Sequence, residues 1–231
     1  NTAILINGGK ALFIDGGFAI YREEMLKIFR ELFDDFDSME KVMFITHSDI
    51  DHCGLLDDFD KIIASEASKK SLELEFEGKD NFREQNILHK PYIRICKALT
   101  GYRPCDPQKI VVPWQSPKEL TEPLTSIGFL DFGDLHFEVF EGKGGHIYGE
   151  TVLIDYVNKI AFTGDIYVNL KGFSDEQKRF NRLAPILMTS VDTEKKLCAD
   201  ERQALLSRLG VGEWKVFGGH GQKKDFKISL D

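Results

Sequence analysis

Three features of this 231-residue sequence predict an α/β fold. Short apolar runs that read as strands come first, at Thr2–Ile6 and Ala11–Ile14, and an amphipathic helical pattern follows them. A further apolar run, Val42–Thr46, then opens into a loop dense in His and Asp. Strand, helix and strand in that order is the pattern of an α/β domain. With 42% hydrophobic and 29% charged residues, the composition suits a globular protein with one sizeable core. One domain over 1–231, carrying a helical insertion at about 78–118, is the organisation expected at this length.

Taken in order, Asn7-Gly8-Gly9-Lys10 joins the first two strands as a hairpin, Asn-Gly being favoured because both turn positions take positive φ. Asp15-Gly16-Gly17 ends the second strand. From Ala19 to Phe33 the residues Ile20, Met25, Ile28, Phe29, Leu32 and Phe33 recur at helical spacing, with Arg22, Glu23, Glu24 and Lys27 elsewhere. Gly54–Phe59 reads as a short helix, Lys61–Ala64 as a strand and Ser65–Phe76 as a helical stretch. Lys79–Lys109 differs in character, with seven basic residues against three acids in an acidic chain. Ile87, Ile93 and Leu99 offer it a helical face, and Pro91 restricts it to two short helices or a helix and a loop.

Strands return after Val111–Trp114, at Ser126–Asp131, Leu135–Phe140, Thr151–Tyr156 and Lys159–Thr163. Tight turns at Phe132-Gly133-Asp134 and Val157-Asn158 imply antiparallel pairing. Phe173–Leu187 and Glu194–Leu209 are helical in pattern, with Ser174 and Thr193 as N-caps and Gly210 closing the second. Within Asn169–Asp200, a candidate rim, Phe180, Leu183 and Met188 read as core rather than substrate wall. Trp214–Phe217 is the last clear strand.

The chemistry concentrates where Val42–Thr46 ends. His47-Ser48-Asp49-Ile50-Asp51-His52 holds two imidazoles and two carboxylates. Carboxylates so close repel unless a cation lies between them. Imidazole nitrogen and carboxylate oxygen are ligands that Zn²⁺, Fe and Mn accept at neutral pH. Three later loops repeat the theme, in Gly144-Gly145-His146, Phe162-Thr163-Gly164-Asp165 and Phe217-Gly218-Gly219-His220. A lone His after Gly is more often a turn residue than a ligand, so it is the ordered set that points to a metal centre. Cys53, beside the ligands, reads as a packed small residue. The four cysteines, at 53, 96, 105 and 198, form no CxxC pair and suit a reducing compartment.

Those blocks resemble the metallo-β-lactamase fold superfamily, whose signature is HxHxDH, then a His in a GH segment, an Asp at a strand end and a C-terminal His. The resemblance covers nearly the whole chain. It implies a four-layer αββα sandwich, with two mixed sheets face to face, helices outside and a site along one edge. It also implies that His47, Asp49 and His146 hold a first metal, that Asp51, His52 and His220 hold a second, and that Asp165 bridges them. Two divalent ions per chain are expected, Zn²⁺ in the first place with Fe or Mn as the alternatives. They would share a water and lower its pKa towards neutrality, with Asp51 both ligand and orienting acceptor. The implied activity is hydrolysis of an ester, thioester, lactone or phosphoester in a small, anionic substrate.

The pattern departs at one point, where the second His of HxHxDH is Asp49. That is similar to the flavodiiron branch, in which a Glu takes this position and both metals are iron. A carboxylate is a harder ligand than imidazole and favours Fe or Mn, although Asp is shorter than Glu. The alternative reading is therefore a non-haem diiron protein binding or reducing O2 or NO. It would need an external electron donor, as the sequence shows no flavodoxin-like part.

In this superfamily, segments inserted between the first block and the GH histidine cover the site. The 78–118 segment is accordingly read as a lid, with Arg83, His89, Lys90, Tyr92 and Arg94 as candidate contacts to an anionic substrate group. A solvated helix face or a homodimer contact is the competing reading. A net charge of -8 speaks against nucleic-acid binding through general electrostatics. No window approaches the roughly 18 apolar residues of a membrane span. A small-molecule substrate and a cytoplasmic location are expected, with no nucleic acid and no membrane. Asn1 is not Met and a strand begins at once, so trimming of the natural N-terminus is expected.

Overall fold

The computed structural model describes residues 1–182 and 191–229, which form one five-stranded and one six-stranded sheet. In the first sheet, β1 (Ala3–Asn7) and β2 (Lys10–Ile14) pair antiparallel with Asn7 opposite Lys10. The turn is therefore Gly8-Gly9 rather than Asn7-Gly8, and both glycines take the positive φ it demands, 56° and 76°. β3 (Val42–Phe44), β4 (Lys61–Ile63) and β5 (Ile110–Val111) add in parallel, giving the order β1-β2-β3-β4-β5.

The second sheet begins as an antiparallel meander of β6 (Leu124–Phe132), β7 (Leu135–Gly142), β8 (Thr151–Asp155) and β9 (Ile160–Phe162). β10 (Gly212–Phe217) joins β9 in parallel, and β11 (Lys224–Ile228) pairs antiparallel with β10 at the edge. β11 lies beyond the last strand read from the sequence; Lys224, Asp225 and Lys227 dilute its apolar signal, which an edge strand tolerates.

The period-2 alternation of the strands produces the layers. Leu12 and Ile14 of β2, Phe44 of β3 and Ile63 of β4 face Phe137, Val139, Leu153 and Phe162 of the other sheet. The intervening residues Phe13, Met43 and Ile62 point outward, onto Leu26 and Phe29 of α1 (Arg22–Leu32) and Leu72 of α2 (Glu66–Phe76). Val152, Ile154 and Val216 of the second sheet likewise meet Leu205 of the last helix, Lys195–Arg208. Helix, sheet, sheet and helix are thus stacked as expected.

The inserted segment contains one α-helix, α3 (Lys90–Thr100), preceded by turns, then a 3-10 turn at Pro107–Lys109 and β5, which returns it to the first sheet. Pro91 starts that helix instead of breaking it, because its missing N–H costs nothing in a first turn. A short α4 (Asp175–Asn181) follows β9. Leu183, Met188 and the remainder of the predicted helix to Leu187 lie outside the described residues, as does the side chain of Phe180. The cap of α5 (Lys195–Arg208) is Glu194 rather than Thr193: its carboxylate accepts from Lys196 N at 3.1 Å. Thr193 Oγ1 donates instead to the carbonyl of His146, at 2.7 Å. Among the described residues, no helix is long and apolar enough to cross a membrane.

The edge shared by both sheets gathers the strand ends. Thr46, past β3, accepts at its carbonyl from Thr151 N of β8 at 2.8 Å, so the two sheets are hydrogen-bonded together there. Phe13 is fully buried beneath α1, its ring 4.9 Å from Phe29 and 5.0 Å from Phe59. Phe13→Ala is expected to destabilise the fold by about 4 kcal/mol, read as a lower denaturant midpoint at unchanged slope.

Candidate metal centre

Four imidazoles enter this edge, and three of them, His47, His52 and His146, are held by Nδ1 so that Nε2 is turned inward. The arrangement starts from Asp15, a buried carboxylate at the end of β2 whose backbone takes a φ of 60°. Its Oδ2 lies 2.9 Å from His52 Nδ1, and its Oδ1 accepts from Thr46 N at 2.7 Å. Thr46 Oγ1 also donates to Asp15, at 2.9 Å, which leaves its lone pairs to accept from His47 Nδ1 at 3.0 Å. Asp15 therefore orients His52 directly and His47 through one hydroxyl. His146 is held in the same way by Asp192, Nδ1 to Oδ1 at 3.0 Å. Carboxylates behind imidazoles are the usual means of fixing the tautomer of a metal-ligating His.

The inward atoms form two groups, in each of which the candidate ligand atoms lie within 4.8 Å of one another. One contains His47, Asp49 and His146, and the other Asp51, His52, Asp165 and His220. Every residue of the ligand set read from the sequence is in one of them. In the second group, His220 Nε2 is 3.1 Å from both Asp51 Oδ2 and Asp165 Oδ2, and His52 Nε2 is 3.5 Å from Asp165 Oδ1. Asp165 Oδ2 is also 3.7 Å from His146 Nε2, so this carboxylate spans the groups. Its backbone N–H donates to buried Glu150 Oε1 at 2.6 Å. Gly219 makes the crowding feasible, since a Cβ there would stand 2.2 Å from Asp165 Oδ1.

The second group fits a cation. His52 Nε2 and Asp165 Oδ1 are buried, converge and have no hydrogen-bond partner. Its electrostatics also call for positive charge. Burial opposes ionisation of Asp51, yet the charges of His52 and His220 outweigh it and hold the carboxyl at about 2. Asp165, against the same burial, is held well below the usual carboxylate range by His220 and His52. Reciprocally, Asp165 raises His220 to about 9, although burial works the other way.

The first group differs. His47 Nε2 is buried and unpartnered, but Asp49 is gripped by a guanidinium. Arg83 Nε donates to Asp49 Oδ1 at 3.0 Å and Nη2 to Asp49 Oδ2, and Nη2 also lies 3.1 Å from His146 Nε2. Among the residues read as lid contacts, Arg83 is thus buried and turned into the centre rather than displayed to solvent. His89 is buried, and Lys90 pairs with Asp80. Arg94 bonds Asp80 at 3.0 Å and is exposed. Tyr92, half-buried, has its phenol raised by burial first and then by Cys96. Cys53 packs in the core with its Sγ 3.5 Å from the carbonyl of His47.

Asp15, Asp192 and Glu150 carry no motif of their own. The one local hint is Asp15 itself, an acid at a strand end just before paired glycines.

Comparisons with known proteins agree with this fold. The family model described as "Metallo-beta-lactamase superfamily" matches residues 1–170. Among solved structures, the BLEG-1 B3 metallo-beta-lactamase superposes with a TM-score of 0.53 at 19% identity, over 96% of this chain and 87% of its own. A flavo di-iron protein mutant from Thermotoga maritima gives 0.55 at 17% identity, over 95% of this chain and 47% of its own. The protein TTHA1623, solved in a di-iron-bound form, gives 0.54 at 18% identity, over 97% and 89%. Identities this low speak for the fold alone. No curated protein matches the sequence.

Two outcomes follow. Metal ligation requires deprotonated imidazole, and the raised pKa of His220 stabilises the metal-stripped protein below about pH 6.5, a contribution lost as pH rises through about 9. The gap in Tm between metal-loaded and stripped protein should therefore widen from pH 6.5 to 9. Asp15→Asn keeps an acceptor at His52 but removes the charge, and should weaken metal binding by roughly 10–100-fold in a chelator competition.

Proposed function

The chain belongs to the metallo-beta-lactamase superfamily, and on that premise we propose that it is a metal-dependent hydrolase acting on an ester, thioester, lactone or phosphoester of a small molecule. The observation that carries the reading is the convergence of His52 Nε2, His220 Nε2, Asp51 and Asp165, two of these atoms buried and unpartnered, on one point of the sheet edge. These residues would hold the metal. When bound, it would supply a Lewis acid for the carbonyl or phosphoryl oxygen and draw the pKa of water towards neutrality.

The protein's own groups divide the remaining work. Asp51, ionised throughout the neutral range, offers a carboxylate to accept a proton from a water held beside it. Asp165, fixed from behind by Glu150, keeps its carboxylate between the two groups. His47 and His52 are completely buried, while the side chains of His220 and Asp51 are 31% and 22% exposed, so substrate approaches from their side. Phe173, its ring 6.5 Å from that of His220, forms part of the rim there.

The diiron alternative has Asp49 in its favour. Against it, the carboxylate that would harden the first group is already neutralised by Arg83. Elemental analysis with a visible spectrum separates the two readings, followed by a panel of the four ester classes. The expected outcome is colourless zinc protein whose turnover is lost to chelator and restored by metal. Asp51→Ala should then cost on the order of a hundredfold or more in kcat. Iron with charge-transfer absorption that responds to dithionite and oxygen would replace the hydrolase reading by the diiron one. Metal-loaded protein inert towards all four classes would also count against it.

A further inference from the structure

We propose that the first ligand group takes its positive charge from the chain itself: the guanidinium of Arg83 is its cation, and the centre holds a single tightly bound metal on Asp51, His52, Asp165 and His220. The inference rests on the metal-dependent reading above and specifies how many ions serve it.

Arg83 is built into this position. Its side chain is 3% exposed, and all three guanidinium nitrogens are engaged. Nε and Nη2 take the two oxygens of Asp49 as a fork, the geometry in which Arg binds a carboxylate most strongly. Nη1 donates to Val191 O at 2.7 Å, to His146 O at 3.3 Å and to Thr193 Oγ1 at 3.4 Å. Those contacts tie the inserted segment to the loop of His146 and to the residues before α5.

Nη2 also lies 3.1 Å from His146 Nε2. A guanidinium nitrogen can only donate, so for this contact to be a hydrogen bond His146 must face it with the Nε2 lone pair and carry its proton on Nδ1, towards Asp192. That lone pair and Asp49 Oδ2 are two of the three donors this group could offer a metal. An ion bound to them would sit about 2.0–2.2 Å from each and would compete with the Arg83 nitrogen for the same lone pair and the same carboxylate oxygen. Arg83 cannot lose its proton to make room, and its charge would repel a divalent ion at that range.

The same pairing gives the acid at position 49 a reason. An imidazole there could not accept two parallel N–H bonds from Arg83, whereas a carboxylate can. Asp49 is matched to a guanidinium rather than to iron. The expected pair of ions then becomes two cation positions, one of them filled by a side chain.

Calorimetric titration of the stripped protein with Zn²⁺, paired with elemental analysis after dialysis, tests this without reference to activity. One tight equivalent is expected for the unmodified chain. Arg83→Gln, and the double variant Arg83→Ala with Asp49→His, should take two, the second binding on the order of a hundredfold or more tighter than in the unmodified protein. If neither variant folds, the titration of the unmodified chain decides. Two equivalents of comparable affinity in that chain would overturn the inference and leave the hydrolase reading intact. So would a folded Arg83→Gln protein that still takes only one. No tight equivalent in any of the three would overturn both.

Discussion

The carboxylate of Asp15 is fully withdrawn from water and accepts from Thr46 N, from Thr46 Oγ1 and from His52 Nδ1. A buried anion is tolerable only when its lone pairs are filled this way. Because the partners are the first residue of the ligand loop and an imidazole within it, satisfying Asp15 also sets the loop. Thr46 passes the constraint on, to His47 through its hydroxyl and to β8 through its carbonyl, which Thr151 N meets at 2.8 Å. The positive φ of Asp15 belongs to the same economy of position. An extended backbone would carry the carboxylate along the strand, whereas the left-handed turn directs it under the histidines.

Around that anchor the centre is divided by charge. Asp49, Asp51 and Asp165 cannot lie together uncompensated, and the chain answers differently on the two sides. On the enclosed side Asp49 is met by Arg83, brought from the inserted segment. On the side where His220 is 31% exposed, Asp51 and Asp165 face the imidazoles of His52 and His220 instead. The inserted segment, read from sequence as a cover for substrate, thus contributes to the interior of the centre.

How much of this was legible depends on the range of the interaction. The ligands announce themselves locally, because each follows a strand and, except in the first loop, a glycine that lets the chain crowd close; Gly219 next to His220 is the plainest case. The layers were equally visible, as alternation along β2 and β7 decides which side chains meet. Partners distant in sequence left no trace. Arg83 pairs with Asp49 across 34 positions and Asp15 with His52 across 37, and nothing in either neighbourhood names the other. Thr193 failed as a helix cap for the same reason: its hydroxyl had a better use 47 positions away, at His146. β11 was missed because an edge strand needs no continuous apolar face.

The bond between Thr46 and Thr151 and the ligands on either side of it bear on how the molecule comes apart. His52 and Asp51 belong to the first sheet's margin, Asp165 and His220 to the second's. An ion gripping all four is a cross-link between two halves that are far apart along the chain. With that ion in place, separating the sheets at this edge would mean first surrendering it, and the barrier to unfolding would include the work of releasing it. Free metal in the surroundings would then govern how long a folded molecule lasts, and resistance to proteolysis would measure metal supply as well as the core.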